Sequence, residues 1–195
     1  MNRGLEAYPA LSKGIVMGFV ENCFSLDYEV DEELVSNISI IPTVGEQYVV
    51  MKLDNGRWEL AGGTLEPQEH HMDALVREVK EELGAELVSY TLFGCFKCRS
   101  FASEPYRPHI PHPNFVRLVG YGEVSLVGAP LNPPDGEQVI AVEAVNIDEA
   151  VRRFEEIGRF DIAELYKLAH ELRSGARNNL RKSSIIDRSK CEWSG

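Results

Sequence analysis

One helix constrains most of what this chain can become. Within PQEHHMDALVREVKEELG, from Pro67 to Gly84, Met72, Leu75, Val76, Val79 and Leu83 recur at the offsets of a single apolar stripe. Pro67 suits a first turn and Gly84 is a stop signal, so the spacing predicts a helix that must lay this stripe on a neighbouring layer.

The segments on either side supply that layer. NISIIPTV from Asn37 reads as a strand broken by Pro42, and QYVVMKL and RWEL read as two strands joined at the Asn55-Gly56 turn. After the helix, LVSYTLFGCFKC and NFVRLVGYGEVSLV read as strands separated by a loop holding Pro105, Pro108, Pro111 and Pro113, residues that cannot donate ladder hydrogen bonds. VIAVEAV is a further strand. Helices are predicted from Asp148 to about Ile157 and from Asp161 to about Arg173, the second opened by an Asp161–Glu164 capping box. This order is neither βαβ repetition nor all-β. It predicts an α+β fold, an α/β/α sandwich with a mixed β-sheet between helices. Residues 1–36 read as an N-terminal extension holding one strand, 37–172 as the domain, and 173–195 as a basic, mobile tail.

Composition narrows the function classes. With 195 residues and 44% hydrophobic content the chain suits one domain. Its net charge is −11, and six Lys/Arg against two Asp/Glu from Arg173 onward leave −15 on the preceding body. An acidic body argues against broad binding to nucleic-acid backbones, which rests on clustered cations. The apolar run Ile15 to Val20 is too short for a membrane span or a signal peptide. The four cysteines are too few for a disulfide scaffold at this length, which fits a reducing, cytoplasmic setting. A homodimer is an admissible assembly, and the basic tail could reach RNA phosphates or a partner subunit.

The predicted helix also carries Glu78, Glu81 and Glu82. At about 100° per residue, Glu81 lies roughly 60° to one side of Glu78 and Glu82 roughly 40° to the other, so the three share one arc. Like charges at these spacings destabilise a helix, and burial would raise their pKa values. A divalent cation removes the conflict, and hard oxygen ligands with no histidine or thiolate pair favour Mg²⁺ or Mn²⁺ over zinc. A solvated acidic face beside Lys80 is the alternative that composition alone supports.

Spacing decides between them. From Gly63 the sequence runs through Glu69, Arg77-Glu78-Val79, Glu81-Glu82 and Gly84-Ala85, and this pattern resembles the Nudix hydrolase box. Two positions depart from it: Ala85 stands for a larger aliphatic and Ala61 for the proline common before the glycine pair. Neither removes a ligand. The box covers 63–85, and the flanking elements look similar to the family's fold over 37–172.

The resemblance implies a hydrolase that splits the pyrophosphate of a nucleoside diphosphate linked to another moiety. It implies that Glu78, Glu81 and Glu82 hold Mg²⁺ (or Mn²⁺) with the Gly63 carbonyl, that Arg77 orients Glu78, and that Glu69 braces the loop. In this family the proton acceptor is a box glutamate or a carboxylate on a distant loop. Glu137 sits where such a loop should be, with Asp135 and Glu123 as lesser candidates. Phe115, Arg117 and Tyr121 alternate along one strand and are candidates for binding the substrate. Clearing damaged nucleotides and degrading ADP-ribose or sugar nucleotides are both consistent settings. A non-catalytic nucleotide-sensing or protein-binding module on the same fold is the competing class, and the intact carboxylate set argues against it.

Two further constellations carry less. Cys95, Cys98, His109 and His112 have a zinc-like look, but strand residues three apart point to opposite faces. His71 stands nearly two turns before Glu78 and is either near the metal face or a surface imidazole.

Overall fold

The chain begins with α1 (Pro9–Ser12), β1 (Ile15–Met17), β2 (Val20–Ser25) and a 3₁₀ turn (Glu32–Leu34). Five elements follow: β3 (Val35–Val44), β4 (Gln47–Leu53), β5 (Trp58–Glu59), β6 (Ala61–Thr64) and α2 (His71–Leu83). β7 (Ala85–Leu87), β8 (Thr91–Ser100), β9 (Asn114–Leu126), β10 (Val139–Val145), α3 (Ile147–Glu156) and α4 (Phe160–Arg173) complete it. This is a computed structural model that describes residues 4–175 apart from Asp135. The basic tail and Cys191 fall outside the described residues.

The sheet order is β1-β2-β8-β9-β3-β4-β10, with β5 on β4, β6 on β3 and β7 on β9. Its one parallel pair among the described strands, β3 with β9, sits at the centre and makes the sheet mixed. Ala74, Leu75, Val79 and Leu83 of α2 pack on Ile38, Ile40, Val49, Met51 and Leu118 on one face. On the other face α3 and α4 bury Phe154, Ile162, Leu165 and Leu168 against Ile41, Tyr48, Val50 and Val119. The sandwich is therefore the one expected. No helix among the described residues is long and apolar enough to cross a membrane.

Four local expectations need correcting. β3 is not broken at Pro42 but runs through it. On one edge, β6 pairs with Asn37–Ile40 and β4 with Thr43–Val44, so Pro42 falls in the gap between them. Second, α2 starts at His71 rather than near Pro67, because Gln68 adopts a left-handed φ of 65° and interrupts the turn. Third, Val76 is 51% exposed, and Ala74 takes its place in the buried stripe. Last, Asp161 and Glu164 form no capping box. Asp161 pairs with Arg159, and Glu164 points inward.

Glu164 explains how the N-terminal segment is held. One strand is expected in residues 1–36, whereas β1 and β2 both form there among the described residues; β2 pairs with β8 over six residues, from Val20↔Ser100 to Ser25↔Cys95. Leu5, Tyr8 and Leu11 are buried in the same apolar cluster as α4. The buried Glu164 carboxylate accepts the Leu11 amide at 2.9 Å. Because an unpaired buried amide costs about 1–3 kcal/mol, Glu164→Ala should lower stability by that much in urea unfolding, and Glu164→Gln by less. Cleavage after Lys13 by trypsin should accelerate in the alanine variant. Parent-like unfolding and cleavage would show that the segment is anchored elsewhere.

Candidate active site

The site begins where β6 turns into the loop before α2. Gly62 has φ of 127°, and a Cβ there would overlap the Ile38 carbonyl oxygen. Only glycine fits that turn. At Gly63 a Cβ would collide with the Glu78 carboxylate, so the missing side chain leaves room for that acid to approach the backbone. Two successive glycines thus serve different ends: the first permits the turn, the second permits the approach.

Arg77 organises the acids around this junction. Its Nε and Nη2 donate to the two Glu69 oxygens at 2.9 and 3.0 Å, its Nη1 to Glu78 Oε1 at 2.8 Å and to Glu81 Oε2 at 3.5 Å, and its Nη2 to the Thr64 carbonyl at 3.2 Å. Glu69 also accepts the Glu66 amide at 2.8 Å, which closes the loop on itself. The two-pronged contact lowers the Glu69 pKa and raises that of Arg77.

Glu82 is treated differently. It is 9% exposed, and its Oε2 accepts the Gly62 amide at 2.8 Å. Burial drives its pKa well above the ordinary 4.5. The Gly62 hydrogen bond opposes the rise, and the charges of Glu78, Glu137 and Glu59 add to it. Glu78 is also raised, by burial first, with Arg77 pulling the other way. Two carboxylates facing one glycine turn are thus biased toward holding protons when no cation is present.

Glu137 is carried by the loop from 127 to 138, which is fastened at both ends. Val127 and Gly128 donate to the Gly84 carbonyl at 3.0 and 2.9 Å, and Leu131 donates to the Glu81 carbonyl at 2.8 Å. Asn132 forms a reciprocal pair with Val139, accepting its amide at 2.7 Å and donating to its carbonyl at 2.9 Å. Glu137 is exposed at its tip, yet the protein on its inner side desolvates it enough to raise its pKa, with Glu59 adding to the effect. Its charge acts on Glu82, so the loop does bring it to the acid cluster. Glu123 lies opposite Thr43 in β9. Asp135 is outside the described residues.

Glu59 and Arg159 are parts of the site that sequence reasoning missed. Arg159 clamps Glu59 with its Nη1 at 2.9 and 2.7 Å and Asp161 with Nε and Nη2 at 3.0 Å. The pair is 100 residues apart in sequence, and no local spacing announces it. Asn132 left a faint signal, as an Asn before two prolines in a turn-rich stretch.

The strand candidates separate. Paired residues share a sheet face, so Phe24, Phe96, Arg117, Asn37 and Thr64 form one row leading to Gly63. Arg117 lies half-buried in that row and makes no hydrogen bond or ion pair among the described residues. Phe115 is buried one step along the same face, beside Cys98. Tyr121 stacks on Phe93 at 6.1 Å and belongs to the core under α4.

The histidines and cysteines go elsewhere. Cys95 and Cys98 are buried, and Cys98 donates to Asn22 Oδ1, its pKa pushed up to about 12 by burial. His109 pairs with the Leu65 carbonyl and His112 with the Ala102 carbonyl, so the four residues form no zinc site. His71 sits with His70 and Glu32 at the start of α2, their ligand atoms within 4.8 Å of one another. His70 Nδ1 already accepts the Met72 amide there as the helix cap.

Comparison with known proteins agrees with this geometry. The profile of the NUDIX domain matches residues 35–169. The CTP pyrophosphohydrolase of Escherichia coli (strain K12) is 61% identical over 31 residues, which cover 16% of this chain and 23% of that protein's length. A variant of the Bacillus subtilis pyrophosphohydrolase BsRppH superposes with a TM-score of 0.50 at 18% identity, over 64% of this chain and 71% of that one, a likeness of fold alone. The E. coli ORF135 protein gives a TM-score of 0.42 at 22% identity, over 73% of this chain and 92% of that one. With a profile spanning most of the described residues and the box residues converged on one glycine turn, the chain belongs to the NUDIX family.

Proposed function

We propose that the protein hydrolyses a phosphoanhydride bond in a nucleoside diphosphate linked to another moiety, by attack of water at phosphorus. The observation that carries this reading is the convergence of Glu78 and Glu82 on the Gly62–Gly63 turn with their pKa values raised. The donor set is all oxygen, and the space a Cβ would fill at Gly63 is lined by the Glu78 carboxylate. These residues fit Mg²⁺ or Mn²⁺.

In this reading Glu78, Glu81, Glu82 and the Gly63 carbonyl hold the ion, which when bound neutralises diphosphate charge and acidifies coordinated water. Arg77 keeps Glu78 aimed at the turn. Glu82 is held in place by the Gly62 amide. Glu137, with its raised pKa, accepts the proton of the attacking water. Arg117, a guanidinium with no hydrogen-bond or ion-pair partner among the described residues, steadies the substrate's anionic part. The name of the E. coli relative supports pyrophosphate hydrolysis as the reaction; a 31-residue match does not extend to the choice of base.

Phosphate release should be screened over nucleotide sugars, dinucleoside polyphosphates and modified triphosphates, with Mg²⁺ and with Mn²⁺. Turnover of at least one class is expected. Binding without product under every metal would favour a nucleotide sensor instead. Glu82→Gln should lower kcat by about a hundredfold or more, as loss of a metal-site group does, while the metal-free thermal midpoint holds or rises. Unchanged activity would remove Glu82 from the ligand set.

A dependence on pH follows as well. Glu78 and Glu82 bind protons more tightly folded than unfolded, so each stabilises the metal-free fold below the ordinary value of 4.5 and loses that contribution as pH rises through its raised folded value. Between about pH 5 and 8 the metal-free midpoint should therefore fall. The gain on adding Mg²⁺ should widen over the same range, because the ion competes with protons. A gain independent of pH in calorimetric scans would contradict this.

A further inference from the structure

The proline-rich loop between β8 and β9 folds back over the row that leads to the acids. Tyr106 Oη lies 2.9 Å from Thr64 Oγ1 and 3.5 Å from Asn37 Oδ1. Thr64 therefore faces two ways, its carbonyl accepting Arg77 and its hydroxyl meeting Tyr106. Tyr106 is also a wall of a cavity of about 260 Å³, whose other walls include Phe19, Pro105, Pro111 and Phe115.

The rings around this cavity differ in exposure. Phe115 is 6% exposed, whereas Phe19 and Tyr106 are 72% and 58% exposed. Phe19 stands at the turn between β1 and β2, and its carbonyl accepts the Phe101 amide at 2.7 Å, which staples that turn to the proline loop. Two aromatic rings are thus fixed at the mouth of a cavity and left largely in water. The charged residue on the lining is the exposed Glu104, a carboxylate that would repel phosphate. Arg117, in contrast, lies one pleat from Phe115 on the same sheet face, on the side toward Thr64 and Gly63. A ligand lying along this face would have its anionic part at Arg117, across Asn37 from Thr64 beside the turn that the acids face, and an uncharged flat part at the aromatic cavity.

We propose that this cavity takes the nucleobase of the substrate and that Phe19 and Tyr106 are specificity residues that stack on it. The inference rests on the reading of the acid cluster as a diphosphate-hydrolysing centre and goes beyond it by placing the base. Phe19 precedes residue 35, so part of the selectivity comes from a segment that the NUDIX profile does not include. Aromatic walls with few polar groups favour stacking over edge reading, so discrimination between a base and no base should exceed discrimination among bases.

The test compares kcat/KM of the full chain with Mg²⁺ on nucleoside triphosphates and on the abasic counterpart, ribose 5-triphosphate. Phe19→Ala should lower the ratio of the first to the second by roughly tenfold, the scale of one lost stacking partner, and Phe19→Trp should preserve it. An unchanged ratio in Phe19→Ala, or equal losses on both substrates, would overturn the proposal. Should the parent turn over neither, the hydrolase reading is decided by the wider substrate screen, and the cavity is read directly. Saturation-transfer NMR with adenosine and cytidine, without metal, should show saturable binding to the parent that Phe19→Ala loses. No binding to the parent, or a mass that doubles with concentration while nucleosides are ignored, would instead assign the aromatic face away from the base.

Discussion

The guanidinium of Arg77 holds three pieces of backbone together, and the acid cluster is shaped by what it reaches. Through Glu69 it fixes the loop before α2, through the Thr64 carbonyl the end of β6, and through Glu78 the carboxylate that faces Gly63. Two unit charges 4 Å apart interact by about 4 kcal/mol at an effective dielectric of 20, so acids gathered this closely need a cation among them. Arg77 serves Glu69, Glu78 and Glu81. Among the described residues Glu82 has only the Gly62 amide, and it is the buried one. The imbalance left at Glu82 is what a divalent ion would satisfy in the proposed reading.

A second cationic clamp stands on the opposite side. Arg159, from the turn between α3 and α4, holds Glu59 in β5 near Glu82 and Glu137. The loop that carries Glu137 is in turn fastened to the C-terminal end of α2 and to β10 by backbone bonds and by Asn132. Helix, sheet edge and loop thus converge on one place from separate parts of the chain. Rigid elements hold Glu78, Glu81 and Glu82, and the loop that carries Glu137 is held by its neighbours.

How much of this was legible depended on the range of the interaction. The helix, the glycine pair and the carboxylate arc were readable because each is a local pattern within residues 62–84. The core strands were readable for the same reason, down to the exact span of VIAVEAV as β10. Interactions across the sheet were not. Pro42 looks like a break until two partners leave a gap for it, and Glu164 looks like part of a cap until Leu11 approaches from 153 residues away. Tyr121 alternates correctly for a ligand-facing strand, but Phe93 already occupies its ring. The Arg159–Glu59 clamp had no signature at all, because neither neighbourhood carries information about the other.

The bond between Leu11 and Glu164 also sets an order of assembly. At roughly 5–20 residues per second, a ribosome would display Leu5, Tyr8 and Leu11 for on the order of ten to thirty seconds before the helix that shelters them has been polymerised. During that interval β2 also lacks its neighbour, since β8 lies some 70 residues downstream. An apolar segment and an unpaired strand, both waiting, are the natural quarry of a nascent-chain chaperone. Newly made copies of this protein should therefore depend on such help far more than the finished fold does.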